Sequence, residues 1–186
     1  MSILPIYLYG TQVLRERAKP VRNIDNDVIK LVIDMIETMK KAPGDGLAAN
    51  QVGSLQRIVV IDLADIEDDE DGKPLILINP EIMSSEGRVT MQEGCLSIPE
   101  FRADVERPGK LVLRYKDTNF QEHELNADDI LARVIQHEVD HLNGVLFLDH
   151  VTKEQRNLQR DLLKDIQRGD IDVSYPVVIA EYSAQS

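Results

Sequence analysis

Apolar residues recur at three- and four-residue intervals in three stretches of this chain, and crowd into short runs or alternate with polar ones in several others. Across 25–41, Val28, Leu31, Val32, Met35 and Met39 share one face, with Asp25 or Asn26 available as a cap and Pro43 and Gly44 as terminators. That pattern predicts an amphipathic helix packed on a core. A second helix is expected over 126–142, capped by Asn126, with Asp128 and Asp129 in its first turn and Asn143-Gly144 at its end. A third is expected over 152–168, ending at Gly169 and burying Leu158, Leu162 and Ile166.

Between the helices, residues 56–63, 75–83, 88–98, 110–116 and 120–125 read as strands, and 145–148 as a short one. Asp117-Thr118-Asn119 is turn chemistry, so the strands on either side of it should form a hairpin. Many strands with few helices and no βαβ alternation indicate an α+β fold of antiparallel sheets. No repeat or low-complexity linker divides the chain, so a single catalytic domain is expected over 1–169. Residues 170–186 are left as either a tail or an edge strand.

Composition narrows the function classes. The chain has 186 residues, few aromatics and no Trp, so Leu, Ile and Val must supply the core. Its formal charge of −12 disfavours generic binding to nucleic-acid phosphates. Six negative charges, half the net figure, lie in Asp65, Glu67, Asp68, Asp69, Glu70 and Asp71, read as a solvated loop. One Cys excludes an internal disulfide and suits a reducing compartment. No basic residue precedes Arg15, as a signal peptide would require, and no run approaches the roughly 20 apolar residues of a membrane span. A cytoplasmic protein is expected.

The second helix carries the chemistry. In His137-Glu138-Val139-Asp140-His141 the two histidines stand at i and i+4, so their imidazoles face one point. Two neutral imidazoles suit Zn²⁺ or Fe²⁺, and Glu138 between them is placed to take a proton from a water on the metal. Ile130 and Val134 lie on the histidine side as an apolar wall. Arg133 lies near that side too, reaching toward a ligand's carboxylate or carbonyl or making a surface ion pair. Asp140 faces away and reads as an ion-pair partner, while His123 and His150 read as structural or solvent residues.

The third ligand decides the class. The pattern H-E-x-x-H-x-x-G-x-x-H fails because Phe147 occupies its last position, and Glu154, flanked by Lys153, Gln155 and Arg156, looks solvent-facing. Cys95 remains, either an inert buried thiol or a thiolate ligand, and Gly94 beside it allows close backbone approach. An HExxH zinc endopeptidase is the nearest alternative at this point.

Three segments together resemble peptide deformylase. These are Gly44-Asp45-Gly46-Leu47-Ala48-Ala49-Asn50-Gln51, then Glu93-Gly94-Cys95-Leu96-Ser97, then Gln136-His137-Glu138-Val139-Asp140-His141. The resemblance implies antiparallel sheets around a central helix that carries the HExxH motif, plus a C-terminal helix. It implies a divalent metal on Cys95, His137 and His141, with Fe²⁺ expected and Ni²⁺, Co²⁺ or Zn²⁺ possible. The implied substrate is the formyl-methionine that begins a nascent polypeptide, and the implied product is formate. Glu138 would act as general base, with the Gln51 side-chain amide and the Leu96 backbone N–H meeting the oxyanion. Substrate main chain would run antiparallel to the segments at Gly46 and at Glu93 and Gly94, and its methionine side chain would pack near Ile130 and Val134. Arg102 would contact a substrate carbonyl. Asp45 and Arg133 depart from the family's usual apolar choices and bear on the groove walls. The third helix, with Lys153, Arg156, Arg160, Lys164 and Arg168, offers either a ribosome-docking face over 152–168 or an ordinary packed helix.

Overall fold

The computed structural model describes residues 2–64 and 73–180, so the acidic loop expected at 65–71 lies outside the described residues. In chain order, a short strand β1 (Ile6–Tyr7) leads to α1 (Asn26–Lys41). The Asp25 carboxylate accepts the Val28 N–H at 2.9 Å and so caps α1. Strands β2 (Gly46–Ala48), β3 (Ile58–Ile61) and β4 (Leu75–Glu86) follow. Next come β5 (Val89–Cys95), β6 (Ile98–Arg107), β7 (Lys110–Lys116) and β8 (Glu122–Asp128). The helices α2 (Asp129–Leu142), α3 (Lys153–Leu158) and α4 (Arg160–Arg168) precede the last strand, β9 (Val177–Val178).

Five strands form an antiparallel sheet in the order β2-β3-β4-β7-β8. Its centre explains the unbroken apolar run Ile58–Ile61. Ile58 and Val60 face α1 with Val28, Val32, Met35 and Met39, whereas Val59 and Ile61 face α2 with Ile135, Val139 and Leu142. Helices thus cover both faces of β3, and alternation disappears from its sequence. The β5–β6 hairpin forms a separate two-stranded sheet. There Phe101, Ala103 and Val105 turn inward against Phe147, Leu163 and Ile166, while Glu100, Arg102, Asp104 and Glu106 turn out. The fold is α+β, with α2 lying between the main sheet and this hairpin. No helix among the described residues is long and apolar enough to cross a membrane.

Several expectations need correction. The segment 88–98 is not one strand: β5 ends at Cys95 and the chain reverses through Leu96 and Ser97 into β6. Helix α2 starts at Asp129, because Asn126 pairs with Val112 in β8 instead of capping, and Asp128, expected in the first turn, pairs with Lys110 and stands at the N-cap position with no side-chain cap bond. Phe120 lies in the hairpin turn with φ at 63°, so β8 begins later than residue 120. Residues 147–150 form a 3-10 turn where a strand was expected, with the Asp149 carboxylate accepting the Leu146 N–H. The third helix is broken at Gln159, whose side-chain amide donates to the Arg102 carbonyl at 2.9 Å. Leu158 is 86% exposed, whereas Ile166 is buried as expected, with Leu162 partly buried and Leu163 buried beside it. Of the segment left open, Val177–Val178 is a strand paired in parallel with Ile6–Tyr7.

Candidate metal centre

Helix α2 places His137 and His141 on one face, and the end of β5 brings Cys95 over them. One ligand atom from each of the three lies within 4.8 Å of the others, and all three residues are buried. The Cys95 sulfur is 3.2 Å from His141 Nε2. His137 turns its Nδ1 to the Glu93 carboxylate at 3.0 Å, which leaves its other ring nitrogen facing the thiol. A thiol and two imidazole nitrogens converging among buried side chains form a donor set that fits a divalent metal, with the second ring nitrogen of one of them oriented by a carboxylate. His141 Nδ1 is buried with no hydrogen-bond partner among the described residues. Burial and the positive charges of His137 and Arg107 hold His141 well below the usual histidine range, so it stays a neutral donor. Burial opposes protonation of His137 too, but Cys95 and Glu93 outweigh it and hold that ring well above its ordinary value. A metal bound there must displace that proton.

Glu138 points into the same cavity. Burial pushes its carboxyl up to about 7 against the pull of His137. Its Oε2 is buried and has no partner among the described residues. Gly46 is required beside it, because a Cβ at that position would stand 2.8 Å from Glu138 Oε1. Gln51 is fixed at the other end by the Ala48 N–H, which donates to its Oε1 at 2.9 Å. Its amide nitrogen therefore faces Cys95 Sγ at 3.5 Å and Ser97 Oγ at 3.3 Å.

A cleft of about 690 Å³ opens over these groups. Gly46, Glu93, Gly94, Leu96, Arg102, Ile130, Arg133 and Val134 all contribute to its lining, as do Gln51, Cys95, His137 and Glu138. Two of these residues sit differently from expectation. Arg133 is not a surface residue: it is 7% exposed and donates to Glu93 Oε1 at 2.8 Å, to Val105 O at 2.9 Å and to Val89 O at 2.5 Å. Its guanidinium ties α2 to the β5–β6 hairpin and is not extended toward a ligand. The Glu93 carboxylate is likewise turned inward, to His137, Arg133 and Arg107, the last at 2.7 Å. Burial alone would raise the Glu93 carboxyl, but His137 and Arg107 hold it far below the usual range. Arg102 lies at the rim with its guanidinium over Gly94. Ile130 is half exposed at the mouth, and Val134 is buried deeper.

Other contacts were not legible from the chain alone. Arg107 bridges Glu93 to Asp140, which also pairs with His150 at 2.8 Å. Alternation along β6 places Arg107 among inward positions, a signal for a buried cation seeking carboxylates. Asp172, Val173, Ser174 and Tyr175 supply one wall of the cleft. Phe147, where a third histidine would stand in the protease pattern, is buried with its ring 5.8 Å from that of His137. Glu154 is exposed.

The family model for polypeptide deformylase matches residues 3–157. The chain belongs to the polypeptide deformylase family. A peptide deformylase of Chlorobaculum parvum is 46% identical over 175 residues, which is 94% of this chain and 94% of that protein. The solved peptide deformylase of Legionella pneumophila superposes with a TM-score of 0.83 at 36% identity, covering 91% of this chain and 98% of that one. That of Synechococcus elongatus, solved with actinonin, gives 0.78 at 43% identity, covering 94% of this chain and 92% of its own. The likeness to these deformylases thus extends over nearly the whole chain.

Proposed function

We propose that this cleft removes the N-formyl group from the formyl-methionine of nascent polypeptides and releases formate. The observation that carries the reading is the convergence of Cys95, His137 and His141 beside the buried Glu138 carboxylate, whose Oε2 has no partner among the described residues. Cys95, His137 and His141 would hold one divalent metal, which when bound supplies a Lewis acid that polarises the formyl group and acidifies a water. We take that ion to be Fe²⁺ on the family resemblance, with Ni²⁺, Co²⁺ or Zn²⁺ as substitutes; the donor set alone equally suits zinc.

The protein side chains then divide the work. Glu138 takes the proton of the attacking water, and its raised affinity for a proton suits it to hold that proton and return it to the leaving amine. The Gln51 amide and the Leu96 N–H donate to the formyl oxygen as charge develops on it, each worth on the order of 3 kcal/mol. Substrate main chain lies along Gly46 and along Glu93 and Gly94, with Arg102 at a carbonyl and the methionine side chain against Ile130 and Val134. Arg133 serves this groove from behind, as the buried tie that supports its wall.

A cytoplasmic location follows from a nascent-chain substrate. Docking on the ribosome through residues 152–168 is part of the same proposal, supported by exposed Lys153, Arg160, Lys164 and Arg168 around the uncovered Leu158. The endopeptidase reading is not favoured, given a buried phenylalanine at the third-histidine position and an exposed Glu154. Anaerobic purification with metal analysis, followed by hydrolysis of a formyl-Met peptide, tests the proposal. About one metal per chain and formate release are expected; a metal-loaded chain that releases no formate overturns it.

A further inference from the structure

Ser174-Tyr175-Pro176 is a restricted sequence, because the proline biases Tyr175 to extended backbone, and the β-branched Val177 and Val178 continue it as a strand. That strand, β9, pairs with β1: the Ile6 N–H donates to Pro176 O and the Leu8 N–H to Val178 O, each at 2.8 Å. The two strands make one ribbon, and each reaches the same place. Cys95 and Ile98 are paired across the hairpin, with Leu96 and Ser97 turning between them. From the first strand's side, the Tyr9 N–H donates to Ser97 O at 2.8 Å. From the second, the Tyr175 hydroxyl donates to Leu96 O at 2.8 Å. Both carbonyls of the turn are therefore held from outside the hairpin.

We propose that Tyr175 is a positioning residue for deformylation, fixing the turn so that the Leu96 N–H points at the developing oxyanion. The inference rests on the reading of Leu96 as an oxyanion donor. The amide in question lies between Cys95, whose side chain would be held by the metal, and the following peptide, whose oxygen Tyr175 holds. With both ends fixed, the N–H has little freedom to swing, and such pre-set donors are the ones that stabilise developing charge. The ring is fixed in turn: it is 8% exposed, packs with Ile6 and Ala42, and forms part of the cleft wall. Burial pushes the Tyr175 hydroxyl up to about 12, so it remains a donor throughout the neutral range.

The test is Tyr175→Phe, which deletes only the hydroxyl, compared with Gln51→Ala and the unaltered chain on formyl-Met peptides. Each protein is assayed per metal-loaded site, with metal content and melting temperature measured on the same sample. For Tyr175→Phe, kcat should fall about tenfold, as misaiming of a reacting group allows. KM should stay within about twofold and metal per chain should not change. A kcat equal to that of the unaltered chain, or a loss matched by lost metal, overturns the inference. If Gln51→Ala is slow while Tyr175→Phe is not, Tyr175 alone is refuted. If both retain full kcat, the oxyanion reading falls with it.

Discussion

Glu93 bonds three cationic or ring-nitrogen groups at once while only 5% exposed. One carboxylate thus orients His137, a proposed metal ligand, pairs with two buried guanidiniums and joins α2 to the β5–β6 hairpin. Glu93→Gln keeps the shape but leaves Arg133 without a carboxylate partner and Arg107 with Asp140 alone, and should destabilise the fold by about 3–5 kcal/mol in urea unfolding. It should also weaken metal binding by roughly 10–100-fold in a chelator competition, because His137 loses its orienting acceptor. Unchanged stability would mean that Asp140 suffices for Arg107 and the Val89 and Val105 carbonyls for Arg133. At this scale the sequence was informative wherever function sits within one helical turn. His137, Glu138 and His141 could be read from spacing alone. The partners of Glu93 could not, because they come from β6 and α2, and no local pattern links residues 93, 107 and 133.

Among elements, α1 and the β7–β8 hairpin matched their sequence patterns because local chemistry decided them: a cap at Asp25 and a turn at Asp117, whose carboxylate accepts the Asn119 and Gln121 N–H groups. Expectations failed where a distant strand competed with a local signal. Pairing with β7 took Asn126 and Asp128 from the helix, and the outward charges of β6 masked its inward Phe101, Ala103 and Val105. The break between α3 and α4 has the same origin, since Gln159 bonds to β6 and the helix re-forms on a rotated face. Leu158→Glu should therefore change stability by no more than about 0.5 kcal/mol, whereas Ile166→Ala should cost about 2–5 kcal/mol in thermal or urea unfolding. The same Leu158→Glu protein should sediment less with ribosomes at low salt. An equal effect of the two substitutions on stability would contradict the face assigned to α4, and unaltered sedimentation would remove the docking role.

For the whole molecule, the α+β class followed from counting strands and finding no βαβ alternation, but the arrangement that builds the cleft did not. Three parts meet there: the sheet edge at β2, the HExxH helix and the β5–β6 hairpin, with the 172–175 segment closing one side. We propose that the functional unit extends to β9, beyond the boundary expected at residue 169. Fold and family agree over this span, and the proposed function turns on the chemistry of the cleft. The most direct measurement is formate release by Glu138→Gln, per metal-loaded site, with metal per chain determined on the same preparation. Metal content equal to that of the unaltered chain and a loss of kcat of about 10²–10⁴-fold are expected from removing the proton acceptor. Full turnover by a normally metallated Glu138→Gln protein would rule out Glu138 as the proton acceptor.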